Sequence, residues 1–124
     1  MYWGDGGNSL VRANLNGSSA TIMATGFQIL YGITRDQFSN GVLYWADWGA
    51  NTIGTFDVNG GSKQTLVKLR YGPYGIQVDA HKIYIANRDG KSIHSVDKGS
   101  AEELTTIFNS TGGIRYIALF SAPV

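Results

Sequence analysis

Three short markers recur along this chain in the same order and at nearly the same interval. Tyr2-Trp3-Gly4-Asp5 returns as Tyr44-Trp45-Ala46-Asp47 and again as Tyr84-Ile85-Ala86-Asn87, 42 and then 40 residues on. A turn pair follows each one: Asn16-Gly17, Asn59-Gly60 and Lys98-Gly99. The third marker is Tyr31-Gly32-Ile33, Tyr74-Gly75-Ile76 and Gly112-Gly113-Ile114. A fixed period of this size marks stacked units that cannot bury their apolar faces alone and do so against their neighbours. The 124 residues therefore form a single domain, 1–124, of three repeats at about 1–42, 43–82 and 83–124.

Within the second repeat, residues 42–46, 52–58, 64–69 and 75–78 read as short strands separated by turn residues. Glycine supplies 17 of the 124 residues, about twice the average usage of roughly 7%. Asn-Gly pairs place that glycine where tight turns need positive φ. Helical periodicity is absent apart from a weak stretch near 101–104. The pattern predicts an all-β chain with four strands per repeat, which is the arithmetic of a propeller blade.

Tyr44-Trp45-Ala46-Asp47-Trp48-Gly49, then Thr52-Ile53, Asp57-Val58-Asn59-Gly60-Gly61-Ser62 and Pro73-Tyr74-Gly75-Ile76-Gln77-Val78-Asp79, resembles a low-density lipoprotein receptor class B repeat. This is the YWTD-type repeat that builds six-bladed β-propellers. The resemblance spans almost the whole chain and is most specific in the middle repeat. The first repeat follows it through Gly17-Ser18, with Leu30 where the family often has proline. The third departs at Ile85 and Asn87, and Gly4 and Ala46 stand where the family has threonine. The resemblance implies an extracellular setting and a ligand met by loops at the mouth of one face.

Three blades make half of a six-bladed ring, with two open faces and unpaired strand edges. Met1 occupies the apolar slot that Leu43 and Ile83 fill before the tyrosine, so the chain enters at the second strand of a blade. Residues 114–120 read as an innermost first strand with nothing after it. The expectation is a homodimer with C-terminal strand exchange, closing a six-bladed propeller by two-fold symmetry. Met1 reads as an initiator and favours an independent product; the competing expectation is half of a longer six-repeat chain.

The motif residues Tyr2, Trp3, Asp5, Tyr44, Trp45, Asp47 and Tyr84 are expected to build the fold. Aromatics carry the largest area for packing between blades, and a carboxylate at a fixed point of each repeat suits backbone hydrogen bonding. Trp48 differs, because Gly6 and Arg88 occupy its place in the other repeats. With Arg88, Tyr71 and Tyr74 it is the candidate ligand-binding set, made of residue types that dominate binding hot spots; covering a blade edge is the competing role for Trp48.

No nucleophile elbow, phosphate loop or zincin pattern is present, so no catalytic residue is assigned. Calcium-dependent hydrolases among six-bladed propellers make a third reading, with Asp36 and Asp79 at the ends of innermost strands. Ile117 breaks that set, and Arg115, in the place of Thr34 and Gln77, brings a positive charge toward the axis. Capping of strand ends is the expected role of both aspartates. Without cysteine, and with only His81 and His94, no thiolate or histidine-rich metal site is expected, nor any cofactor. A net charge of +1 without a basic run excludes electrostatic nucleic-acid binding. No apolar stretch is long enough to span or insert into a membrane, and no signal peptide is visible. Sequons at Asn16 and Asn109 are weak signs of secretion.

The resulting expectation is a non-catalytic, extracellular recognition protein. Exposed aromatics beside asparagine and aspartate suit sugar rings, and the duplicated sites of a dimer gain by avidity. A multivalent lectin for glycans or glycoproteins therefore leads, with a protein-binding receptor-type module as the alternative.

Overall fold

The computed structural model describes residues 1–5, 7–87, 91–99 and 105–109. Eleven strands lie in these residues: β1 (Tyr2–Gly4), β2 (Leu10–Arg12), β3 (Thr21–Ala24), β4 (Leu30–Arg35), β5 (Val42–Asp47), β6 (Thr52–Asp57), β7 (Ser62–Lys68), β8 (Pro73–Val78), β9 (Lys82–Asn87), β10 (Ser92–Asp97) and β11 (Thr105–Asn109). They form three antiparallel sheets in chain order, β1-β2-β3, β4-β5-β6-β7 and β8-β9-β10-β11. The four strands expected from the middle repeat are β5, β6, β7 and β8. They fall in two sheets because the marker strands β5 and β9 are each the second strand of their sheet.

The four-strand count holds for the second and third sheets, and the first begins at the second strand of its blade, as the place of Met1 implies. The first sheet has three strands among the described residues, not four: β1 pairs with β2 and has no inner neighbour. In the other sheets β5 and β9 are flanked on that side by β4 and β8. The third marker's last copy, the strand read at 114–120 and the weak helical stretch at 101–104 lie outside the described residues.

Successive sheets stack face to face, and strand alternation decides which residues fill each seam. On the second sheet Leu30, Leu43, Trp45 and Phe56 face back toward the first, where they meet Leu10 and, from the linker between the sheets, Phe27, all six buried. Tyr44, Ala46 and Ile53 face forward and meet Ile76, Ile83, Ile85 and Val96 of the third sheet. Trp45 is the largest buried side chain, at 1% exposure. Phe27 meets it edge to face at 5.1 Å, and its Nε1 donates to the Thr55 carbonyl at 3.0 Å. Gly54 stands directly opposite Trp45 across the β5–β6 ladder. A Cβ there would collide with the indole and the Gln64 carbonyl, so only glycine leaves room. The Lys63 ammonium closes the outer end, 4.0 Å from the Phe27 ring centroid.

Candidate functional site

Two ends of the stacked sheets carry different chemistry. At one end lie the starts of the inner strands β4 and β8, the linkers leading into them and the β5–β6 turn. At the other end lie the β4–β5 and β8–β9 turns.

The first end is held together by Asp47. Its carboxylate accepts the backbone N–H of Gln28 at 2.8 Å, Ile29 at 2.9 Å and Ala50 at 3.2 Å. One buried side chain thus ties the linker between the first two sheets to the turn after β5 and satisfies three backbone donors. Asn87, the equivalent residue in the third sheet, is equally buried, but its Oδ1 has no hydrogen-bond partner among the described residues. Asp5 is exposed and accepts the N–H of Gly7 and Ser9 locally.

On this scaffold three aromatic rings form a shelf. Tyr31 and Tyr74 stack at 4.6 Å between centroids, inclined by 29°, and Trp48 leans on Tyr31 at 6.2 Å. The two tyrosines occupy the same place in adjacent inner strands, which run side by side with a Thr34–Gln77 side-chain hydrogen bond further along. Trp48 is fixed from behind, its backbone N–H donating to the Ile29 carbonyl at 2.9 Å. Its ring lies over Gly72, where a Cβ would come within 2.5 Å of Cδ1. Tyr31 remains 43% exposed, and a hollow beside the stack is lined by Tyr31, Ile33, Tyr74, Ile76 and Gln77.

Of the candidate binding residues, Trp48 and Tyr74 are therefore brought together through Tyr31, which the sequence reading left out. Its signal was available, since Tyr31 and Tyr74 share one marker and adjacent repeats place equivalent residues side by side. Tyr71 stands apart from the stack, 43% exposed with the Arg70 guanidinium 5.5 Å from its ring. Arg88 lies outside the described residues. Among the motif residues, Tyr44, Trp45 and Asp47 are buried, while Tyr2 and Tyr84 are partly buried and Trp3 is 36% exposed.

At the opposite end the two strand-end aspartates are engaged by the protein itself. Asp36, 1% exposed, accepts from the Lys98 ammonium and from the Phe38 N–H, both at 2.9 Å. Lys98 follows β10 and so bridges the second and third sheets, its ammonium within 6 Å of the Phe38 and Tyr44 rings. Burial pushes the Asp36 carboxyl up, but the hydrogen bonds from Lys98 and Phe38 outweigh it and hold the group below its ordinary value. Burial and the neighbouring Asp36 charge push the Tyr44 phenol up. Asp79 accepts from the N–H of His81 and Lys82 and from the Tyr84 hydroxyl at 3.0 Å. These bonds lower it against a burial effect of opposite sign. Both carboxylates thus cap strand ends, and no cluster of three or more acidic or histidine groups suited to a metal ion occurs among the described residues.

No protein-family model matches the chain. Over 82 residues, 66% of its length, it is 32% identical to low-density lipoprotein receptor-related protein 4 of Homo sapiens and 31% identical to the Mus musculus protein of that name. The matched stretch is 4% of each relative's length. Its fold superposes on a chain in the crystal structure of a nidogen/laminin complex with a TM-score of 0.81, at 20% identity over 93% of this chain and 45% of that one. A luciferin-regenerating enzyme gives 0.74 at 16% identity, over 89% of this chain and 39% of the enzyme. At these identities the two structural likenesses are of fold alone.

Proposed function

We propose that this chain, a propeller protein of YWTD-type, low-density lipoprotein receptor class B repeats, is a receptor-type binding module that takes a protein ligand on its aromatic end. The observation that carries the reading is the Tyr31–Tyr74 stack with Trp48 against it. It is a partly exposed apolar platform set on strands, beside a linker and a turn whose backbone N–H groups Asp47 satisfies. A platform whose rings are already stacked loses little side-chain freedom on binding. The relatives support a protein ligand over a glycan: one is a receptor-related protein by name, and one structural neighbour comes from a complex between two proteins. An extracellular setting follows from the same reading. No helix among the described residues is long and apolar enough to cross a membrane.

The test is to probe the purified chain against an array of secreted proteins that includes laminin, beside an array of mammalian glycans. Binding to proteins, weakened by roughly thirtyfold or more in Tyr74→Ala and Trp48→Ala as expected for hot-spot aromatics, supports the module. Hits confined to glycans would replace it with the lectin reading. Equal binding by wild type and both variants would move the site away from the shelf.

A further inference from the structure

The two sequons are motifs that the binding reading leaves unused, and the structure separates them. Asn109 closes β11 and pairs with Ser92 across the β10–β11 ladder, while Ser110 and Thr111 lie outside the described residues. Asn16 stands instead in the β2–β3 connection. That connection runs over eight residues, 13–20, whereas its counterpart between β6 and β7 has four, 58–61. The counterpart reads Asn59-Gly60-Gly61, so only the first repeat carries Asn-Gly-Ser in this turn. Residues 14–22 are all exposed. Gly4, at the end of β1, lies against Leu30 at the start of β4. The far ends of β1 and β2, and this turn with them, therefore sit at the end opposite the aromatic shelf.

The turn is ordered around the asparagine. The Asn14 N–H donates to the Ser18 carbonyl at 3.0 Å, and the Gly17 N–H donates to the Asn14 carbonyl at 2.9 Å. Asn16 Oδ1 accepts the Ser18 backbone N–H at 2.9 Å and the Ser18 hydroxyl at 2.6 Å. Asn14 Nδ2 donates to that hydroxyl oxygen at 3.2 Å, which leaves the hydroxyl proton for Asn16. Asn16 Nδ2 has no hydrogen-bond partner among the described residues. Two donors on Oδ1 favour the negative charge that the amide oxygen gains as Nδ2 gives up a proton.

We propose that Asn16 is an acceptor site for an N-linked glycan. The donor class is an oligosaccharide carried on a lipid pyrophosphate. Nδ2 attacks the anomeric carbon of its first sugar, and the nitrogen–carbon bond forms as the carbon–oxygen bond to phosphate breaks. The lipid pyrophosphate leaves, the displaced Nδ2 proton passes to the base of the transferase, and nothing is oxidised or reduced. A glycan on this turn leaves the shelf clear for a ligand. The inference rests on the extracellular setting of the reading above, since a chain meets that donor on its way out of the cell.

The experiment expresses the 124-residue chain behind a cleavable secretory leader in cultured mammalian cells. Intact mass is read before and after peptide N-glycosidase, on protein recovered from cells and medium together. Asn109→Gln serves as the background, so that one sequon is read at a time. In that background the chain is expected to gain hexose and N-acetylhexosamine, which the glycosidase strips while converting the asparagine to aspartate. Adding Asn16→Gln or Ser18→Ala should abolish the gain. Adding Ser18→Thr should keep it, which a loss caused only by disturbing the turn would not predict. A bare Asn109→Gln chain, or a glycan that survives Asn16→Gln, would overturn the proposal. Occupancy and ligand binding are read separately: a bare chain that binds protein overturns this inference alone, and a glycosylated chain that binds none overturns the binding reading alone.

Discussion

Between the first and second sheets the seam is filled by Trp45 set opposite Gly54; between the second and third, the same two ladder positions hold Ile85 and His94. One pair concentrates its volume in a single indole with no side chain beneath it, and the other divides it between two medium side chains. Both leave the residue at the tryptophan position at 1% exposure or less. The repeat therefore preserves filled volume more strictly than residue identity, as close packing requires. The polar groups differ too. Trp45 sends its one donor to a backbone carbonyl. His94 instead bonds the Ser92 and Thr106 hydroxyls at 2.8 and 3.2 Å, and burial pulls its imidazole down.

The largest effect expected from breaking this comparison is at the indole. Trp45→Ala should cost about 3–5 kcal/mol in urea unfolding, and Ile85→Ala less, at about 2–3 kcal/mol, because fewer buried atoms are removed. Equal losses would mean that the two seams do not differ as their side chains do. Next comes Lys98→Met, which leaves the buried Asp36 carboxylate without its cation. The expected loss is about 3 kcal/mol, at the lower end for a broken buried pair because the lysine side chain keeps 16% exposure. A loss below about 1 kcal/mol would reduce the pair to an ordinary surface bridge.

The same pair sets an acid limit. Asp36 is held below its ordinary value of 3.8 in the folded protein, so the unfolded chain binds the proton more readily. Its contribution is complete above that value and is lost as pH falls through the lower, folded value. Thermal unfolding of wild type should therefore weaken below about pH 4, and Lys98→Met should show a shallower decline over that range. Parallel curves would separate Asp36 from the acid limit.

The smallest effect is the sharpest test of interchangeable volume. Gly54→Ala should cost about 1–3 kcal/mol through overpacking against the indole and the Gln64 carbonyl. Combining Gly54→His with Trp45→Ile copies the third sheet into the second. The double variant should be more stable than the sum of its single losses by at least about 0.5 kcal/mol, measured as a double-mutant cycle. Strict additivity would show that the two positions do not share one space.

Much of this architecture is legible in the sequence. The expected strands at 42–46 and 52–58 are found at Val42–Asp47 and Thr52–Asp57. Those at 64–69 and 75–78 begin two residues earlier, at Ser62 and Pro73. A proline opening a strand loses little, since the first residue there can do without a ladder N–H. The shelf was half legible: Trp48 and Tyr74 stood out as aromatics in loop-side positions, while Tyr31 was passed over as part of a repeat marker. The Lys98–Asp36 pair gave no signal at all. Its partners are 62 residues apart, and nothing local to either announces the other.

Repetition, strand alternation and turn glycines are properties of neighbouring residues, so the sequence by itself determined an all-β chain of stacked sheets with the middle marker's tryptophan in a seam. Which residues meet across a seam depends on how two sheets are set against each other. Only the tertiary structure could therefore decide that Asp47 holds three backbone donors while Asn87 leaves its oxygen unmatched among the described residues, or that Trp45 has room because position 54 is glycine. It also decided that Tyr31 joins Tyr74 and Trp48, because inner strands of adjacent sheets run side by side and bring together residues 43 positions apart.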